Sequence, residues 1–555
     1  MYRRTLRAPG AAGDVIFGRI PDVFGNMRWA GGTGGMLVEA GRDVRLVPGN
    51  PNGRWVRVGT STSTGAISVT AGRNVELQAG TGTDNFAELV GAGLVSVKAG
   101  SQILVTSAGS QARIQNFTGT APGSGLVLDA PSGTYAGPIQ GVGDTLITGG
   151  THSFSVSPSF LLAAGRSFTL AAGAAVVATV PLTIQTLGTG TVSLLGPMTG
   201  PQLLVRTQEK ILVNAALTMS GATNPLVLIA NDAGLLPGPV PASADAFLEF
   251  GASASLSTPA GRWVTYSVSP LLDQGEELLN YEAPNLYNRT AVSAPLASIP
   301  DPLANRRVYA LQPVLTLTAN DTSKVYGTTP TLTFTATGLL PATGDSIATA
   351  TTGPILLASP GEPAMTPVGS YPITIAATAS DQGYLLQLVN GTLEITPATL
   401  SASLAGLVSK VYDTTTLATL GPSNLLLTGV LGSDSVTLTA SAASYATPDV
   451  ATGIEVTATG LALAGAQAGN YVLASTSAAA AIGEITPATL SASLAGLVSK
   501  VYDTTTVATL GPSNLLLTGV LGSDSVTLTA SAASYATPDV ATGIEVTATG
   551  LALAG

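Results

Sequence analysis

Between residues 35 and 260 the chain repeats a short figure: an apolar residue, any residue, Ala-Gly, two polar residues, then apolar, any, apolar. It reads "VEAGRDVRL" at 38–46, "VTAGRNVEL" at 69–77, "VKAGSQILV" at 97–105 and "LAAGRSFTL" at 162–170. Each copy predicts a short strand, a tight glycine turn and a second short strand. The spacing is irregular, which fits a coil of ~20–30 residues interrupted by loops. A coil of this kind cannot bury its apolar side alone, so coils must stack on a shared core. The expectation is a parallel β-solenoid of roughly ten to twelve coils, about 50–60 Å long. Segments such as "PLTIQTLGTGTVSLLG" and "EKILVNAALTMSGATNPLVLIAND" continue the theme.

Further on, the alternation is of apolar with hydroxyl-bearing residues, as in "SVTLTASAASYA" and "GIEVTATGLALAG". That is the period-two signature of half-buried strands. Gly-Pro, Gly-Ser-Asp and Thr-Pro-Asp separate the strands as turns. No stretch reads as an amphipathic helix. Residues 401–465 recur at 491–555 with one difference in 65 positions, Leu417 against Val507. A 90-residue period is too long for one solenoid coil and suits a small domain. Residues 313–399 form a divergent relative. The second copy stops at "LALAG", where the first continues "AQAGNYVLASTSAAAAIGEITP", so the sequence reads as a fragment.

Composition sharpens this all-β picture. Charged residues make up 10% of the 555, against about 25% in a typical soluble domain. The net charge of −10 is uneven: +5 over 1–115, −4 over 116–312 and −11 over 313–555. Apart from Arg3 and Arg4 the early arginines stand singly, without a longer basic run or interleaved aromatics, so nucleic acid is not an expected partner. There is no cysteine, which removes disulfide and thiolate chemistry. No apolar run approaches the ~20 residues of a membrane-spanning helix, and "MYRRTLRAPGAAGDVIFGRI" lacks the apolar core of a signal peptide.

The 313–399 region carries Lys324, Val325, Tyr326 and Gly327, then Gly369, Ser370, Tyr371 and Pro372, with Ile395, Thr396 and Pro397 closing. It resembles the MBG-type (YGX) module. The 90-residue copies resemble the YDG-type module, through Lys410, Val411, Tyr412 and Asp413, then Gly469, Asn470 and Tyr471, with Ile485, Thr486 and Pro487; Tyr502 and Asp503 repeat the motif. Thr414 and Thr504 depart from the pattern by standing where its glycine would be. The first half resembles the β-helix of filamentous haemagglutinin, through "GAISVTAGRNVELQAG" (65–80) and "GRWVTYSVSP" (261–270). That resemblance makes Gly261, Arg262, Trp263, Tyr266 and Ser267 the expected solenoid cap, with a linker over 271–312. The turn "NPNG" at 50–53 is similar to a secretion-domain motif of that family but sits in another context.

The resulting expectation is a right-handed parallel β-solenoid followed by Ig-like sandwich or β-grasp-like modules. Its parts are an N-terminal segment at 1–34, solenoid at 35–262, cap and linker at 263–312, an MBG-type module at 313–398, and YDG-type modules at 399–488 and 489–555. The resemblance implies a secreted surface adhesin of a Gram-negative bacterium. It would leave through an outer-membrane transporter and attach to a host or neighbouring-cell glycan or protein. A non-binding stalk and a polysaccharide-acting β-helix enzyme are the alternatives.

Tyr412 is either an exposed ring for a ligand or a core or inter-module ring with its hydroxyl tied down, and the second reading is preferred. Asp413 and Asp503 are expected to cap turns. His152, the single histidine, is read as a solvated or hydrogen-bonded turn residue. No cofactor, metal or catalytic set is expected. An enzyme would need clustered carboxylates from Glu76, Asp84, Glu88, Asp129, Asp144, Glu209, Asp232, Asp245 and Glu249, of which Asp84/Glu88 and Asp245/Glu249 lie close in sequence.

Overall fold

The computed structural model describes residues 4–8, 15–17, 27–29, 36–47, 55–58, 66–78, 86–91, 94–106, 112–116, 125–135, 139–141, 144–155, 160–230, 246–279, 283–340 and 344–555. The turn at 50–53, most of 1–34, and Asp84, Asp232 and Asp245 lie outside the described residues. The chain divides into two compact units. One holds Met1–Thr318 with Phe334–Leu356 and Ile375–Val389; the other holds Ala319–Thr333, Leu357–Thr374 and Asn390–Gly555.

In the first unit, short strands stack in three parallel ladders. One begins Arg4–Ala8, Met36–Ala40, Ile67–Ala71, Val95–Ala99 and ends at Leu248–Phe250. A second begins Val15–Phe17, Val44–Leu46, Asn74–Gln78, Gln102–Thr106 and ends at Ser255–Ser257. The long strands Gly125–Tyr135 and Asp144–Phe154 run through both. The third ladder has eleven strands, from Met27–Trp29 to Arg306–Tyr309.

Register explains the repeated figure. Val38, Val69, Val97, Leu128, Ile147, Leu170, Leu194, Val213 and Phe250 lie one above another, all buried. Each full burial of such a side chain stabilises by roughly 1.5–3 kcal/mol. The Ala-Gly corner stacks too: a Cβ on Gly72 would lie 2.2 Å from the Gly41 carbonyl oxygen, so no side chain fits. The fourth copy departs from this. Its first strand, Phe160–Ala164, belongs to the third ladder and its second, Phe168–Leu170, to the first. The same letters serve a different corner, which accounts for the irregular spacing.

Two further readings are corrected. His152 is not on a turn but buried within Asp144–Phe154. Its Nδ1 lies 2.9 Å from the Tyr135 hydroxyl and its Nε2 3.2 Å from the Thr148 carbonyl oxygen. Burial holds the ring below its usual 6.5, so it is neutral, with Tyr135 donating to Nδ1 and Nε2–H donating to Thr148. The segment expected as a linker is packed instead. Leu286, Ala294, Ile299 and Val308 form a second small core with Val227, Ile229, Val264 and Tyr266. Strand Arg306–Tyr309 then adds a rung beyond Trp263–Ser267.

The modules are built from smaller mixed sheets on a shared plan. The first two begin with a strand at the centre of a three-stranded sheet: Val314–Ala319, then Ala398–Leu404. The next strand, Thr322–Val325 or Val408–Val411, runs parallel to the closing strand, Gly391–Thr396 or Ser477–Thr486. The sequence landmarks are therefore neighbours in space: Lys324 pairs with Ile395, and Lys410 with Ile485. One helical turn, Ile347–Ala350, is the only α-helix among the described residues.

Candidate functional site

Lys410 sits at the end of its strand, and its Nζ donates to Asp413 Oδ1 at 2.6 Å and to the Thr415 carbonyl at 2.6 Å. Asp413 Oδ1 also accepts from the Thr415 backbone N–H at 2.9 Å. Lys500, Asp503 and Thr505 repeat this arrangement. The lysine and the turn amide hold both Asp413 and Asp503 down at about 2. Between them Thr414 and Thr504 adopt φ of 65° and 68°. Threonine occupies the left-handed conformation that glycine would favour, at a cost of roughly 1–2 kcal/mol, and the capped turn holds it there.

The turn presents the motif tyrosine outward along the module. Tyr326 donates to Asp434 Oδ2 at 2.8 Å, and Asp434 lies in the Gly-Ser-Asp turn of the following module. Tyr471, from that same module, donates to the same oxygen at 2.6 Å, and the two rings meet edge to face at 5.3 Å. Tyr412 repeats the first half of this contact, donating to Asp524 Oδ2 at 2.9 Å in the second YDG-type copy. Gly327 shows why the glycine follows the tyrosine: its φ is 92°, and a Cβ there would meet Leu431 Cδ1 at 2.1 Å.

A third version joins the packed 283–309 segment to the first module. Asp345 accepts from Tyr287 of that segment and, at 2.9 Å, from Tyr384 of the module; the rings meet edge to face at 5.2 Å. The Leu340 amide donates to the Tyr384 hydroxyl as the Leu431 amide donates to that of Tyr471. A carboxylate oxygen has two lone pairs, so one aspartate takes a hydroxyl from each side. These are charge-assisted bonds, worth about 1.5–3 kcal/mol each at the buried Asp345, while the Tyr412–Asp524 bond is exposed to water. Burial, with Asp434 adding to it, pushes the Tyr326 hydroxyl up to about 12, and the hydroxyls of Tyr384, Tyr412 and Tyr471 are also raised. All are donors at neutral pH.

The other sequence candidates fall elsewhere. Tyr371 donates to the Pro367 carbonyl at 3.0 Å within its own module, and Tyr384, not singled out in the sequence, holds the place of Tyr471. Tyr502 repeats Tyr412 in sequence but its ring is exposed. Trp263 and Tyr266 are buried, and Tyr266 donates to the Ala294 carbonyl at 2.9 Å. Next to Trp263 in sequence, Arg262 donates from its guanidinium to Asn224 Oδ1 and the carbonyls of Leu296, Ile299, Pro300 and Asp301. The acceptors Asp345, Asp434 and Asp524 were hidden in turns that read as punctuation. Their common signal is Gly-Asp-Ser or Gly-Ser-Asp-Ser a few residues after a leucine-containing segment.

Five of the candidate carboxylates of the ladder region pair with bases in neighbouring rungs. Glu76 meets Arg45 at 3.1 Å, Asp129 meets Lys98 at 3.1 Å, Asp144 meets Arg166 at 2.8 Å and Glu249 meets Lys210 at 2.9 Å. Glu88 meets Arg57 at 2.5 Å. Among the described residues no group of three or more His, Cys, Asp or Glu could hold a metal ion, and no helix is long and apolar enough to cross a membrane.

Parallel ladders, repeated modules and tyrosine–aspartate joints define a repetitive all-β protein. Residues 315–394 match the MBG domain (YGX type), and residues 396–478 and 486–555 each match the YDG domain. The chain therefore carries two domain types characteristic of filamentous-haemagglutinin-like adhesins. No curated protein and no solved structure matches it.

Proposed function

We propose that this chain is part of a secreted surface adhesin of a Gram-negative bacterium, in which a right-handed parallel β-solenoid leads into a series of sandwich-like modules. The units of the proposal are the solenoid at 35–262, its cap at 263–312 and modules at 313–398, 399–488 and 489–555. The observation that carries it is the joint written three times, Tyr287–Asp345, Tyr326–Asp434 and Tyr412–Asp524. Tyr326 and Tyr412 link successive modules, so the modules add reach. Attachment to a glycan or protein then comes from many weak contacts spread along the array, which sum by multivalency. Coil-by-coil stacking suits passage through an outer-membrane transporter, since each stacked coil disfavours backsliding.

A glycan and matrix-protein binding screen, run with a reducing-sugar release assay, tests this reading. The expected result is binding by densely immobilised chain, weak binding by dilute chain, and no sugar release. Release of sugar that is lost on Glu88→Gln would replace the adhesin with an enzyme. Absence of binding at any density would leave a stalk.

A further inference from the structure

The sequence contains one Asp-Pro step, Asp301-Pro302, in an exposed turn between Leu296–Ser298 and strand Arg306–Tyr309. Asp301 has a φ of 54°. A residue before proline is normally held to extended backbone, and an aspartate at positive φ is uncommon anywhere. Such strain persists only where the surroundings over-determine it.

The surroundings here are two donors on one carbonyl oxygen. Arg262 Nη1 donates to the Asp301 carbonyl at 2.8 Å, and the Ala304 backbone N–H donates to it at 3.1 Å. Arg262 is 1% exposed and bonded to four other oxygens, so its guanidinium is fixed in place. The Asp301 side chain is 69% exposed, and Arg306 Nη2 holds its Oδ2 at 2.7 Å. An ordinary Asp-Pro turn needs the Ala304 bond, but neither the buried guanidinium nor the positive φ. Pro302 adds two properties. It has no N–H with which to close a competing ring onto the aspartate side chain, and it leaves as a secondary amine.

We propose that Asp301–Pro302 is a self-cleaving peptide bond, with the Asp301 carboxylate as nucleophile and Arg262 and the Ala304 amide as its oxyanion site. A carboxylate oxygen attacks the carbonyl carbon of its own residue and closes a five-membered ring. The carbonyl electron pair moves onto the oxygen that Arg262 and Ala304 hold. As that pair returns, the C–N bond breaks, and the proline nitrogen keeps its electrons and takes a proton from solvent. A cyclic anhydride remains at Asp301, and water opens it to a free C-terminal aspartate, returning the proton. Arg306 is a positioning residue. After the cut, pairing of Arg306–Tyr309 with Trp263–Ser267 still holds the two parts together until that rung opens. The inference rests on the turn alone and survives if the adhesin reading fails.

The test incubates the whole chain in mildly acidic buffer with protease inhibitors and follows it by intact mass. Fragments ending at Asp301 and beginning Pro302-Leu303-Ala304 should appear at a rate independent of protein concentration. That rate should exceed the rate in the urea-unfolded chain by roughly tenfold or more, since one fixed oxyanion donor is worth at least that much. Hydroxylamine should capture the anhydride as a hydroxamate at Asp301. Asp301→Asn and Pro302→Ala should each slow the cut at least tenfold, with hydrogen exchange of 263–267 unchanged. A cut equally fast or faster in urea would be ordinary acid lability of Asp-Pro and would overturn the proposal. So would cleavage at another bond, an unslowed Asp301→Asn chain, or no cleavage.

Discussion

In the parallel ladders every rung buries its aliphatic side chains against the rungs on either side, and the stack from Val38 to Phe250 is continuous. In the modules the strands are shorter of bulk, alternate exposed with half-buried positions, and close small separate cores such as that around Tyr445, Ile454, Val456 and Ile485. The first region gains stability by sharing one core along its length, as repeat arrays do. The second shares no core along its length and links successive modules through a few hydroxyl-to-carboxylate bonds. Damage should therefore spread in the ladders and stay local in the modules.

The largest effect is expected at Arg262. Its replacement by Ala strips donors from Asn224 and four carbonyls of the cap at once. About 3–5 kcal/mol of stability should be lost. Hydrogen exchange should show the terminal rungs opening with the cap; opening confined to residues 296–301 would break the picture of a shared core.

At the joints, Asp434→Ala leaves the Tyr326 and Tyr471 hydroxyls without their acceptor. The expected cost is about 2–3 kcal/mol, felt in the linkage of the two neighbouring modules. Chemical denaturation followed by module-resolved hydrogen exchange checks this. Unfolding of the ladder region by the same change would contradict the local character of the joints.

Acid sharpens the contrast next. His152 is held below 6.5 when folded, so the unfolded chain takes up its proton first. Its contribution is complete above pH 6.5 and declines as pH falls below that value. Asp43 acts lower down. Arg73, by hydrogen bonding, holds its carboxyl below the usual 3.8, so stability present above 3.8 is lost as pH falls further. Asp413 and Asp503, held at about 2, should keep the module turns closed through most of that range. Thermal melts from pH 7 to 4 should fall for the parent chain and be flatter between pH 7 and 5 for His152→Gln.

The smallest effect concerns Thr504, whose φ of 68° is strained. Thr504→Gly should stabilise the second YDG-type module by about 0.5–1 kcal/mol, the relieved strain less the added freedom of glycine in the unfolded chain. A melting temperature that drops instead would show that the threonine side chain contributes more than its backbone costs.

Period-two alternation and the Ala-Gly figure were enough to read parallel stacking and small β modules from the sequence. Local pattern could not say which corner each figure occupies, since 162–170 looks like the other three copies and turns elsewhere. Arg262, Trp263 and Tyr266 stood out in the sequence, but the packing of 283–309 depends on contacts distant in sequence. Tyrosines at the joints were visible because they repeat. Their acceptors were not, because an aspartate in a Gly-Ser-Asp turn looks like any other turn residue until a tyrosine 108 or 112 positions away is placed against it.

The central claim is that the tyrosine–aspartate joint fixes one module against the next. The chain has no cysteine, so spin labels can be placed at Ser401→Cys and Ser491→Cys, both exposed and in successive YDG-type modules. Double electron–electron resonance then reads the distance between them. A narrow distance distribution that broadens on Tyr412→Phe with Asp524→Ala is the predicted result. A distribution equally broad, or equally narrow, with and without the joint would contradict the account.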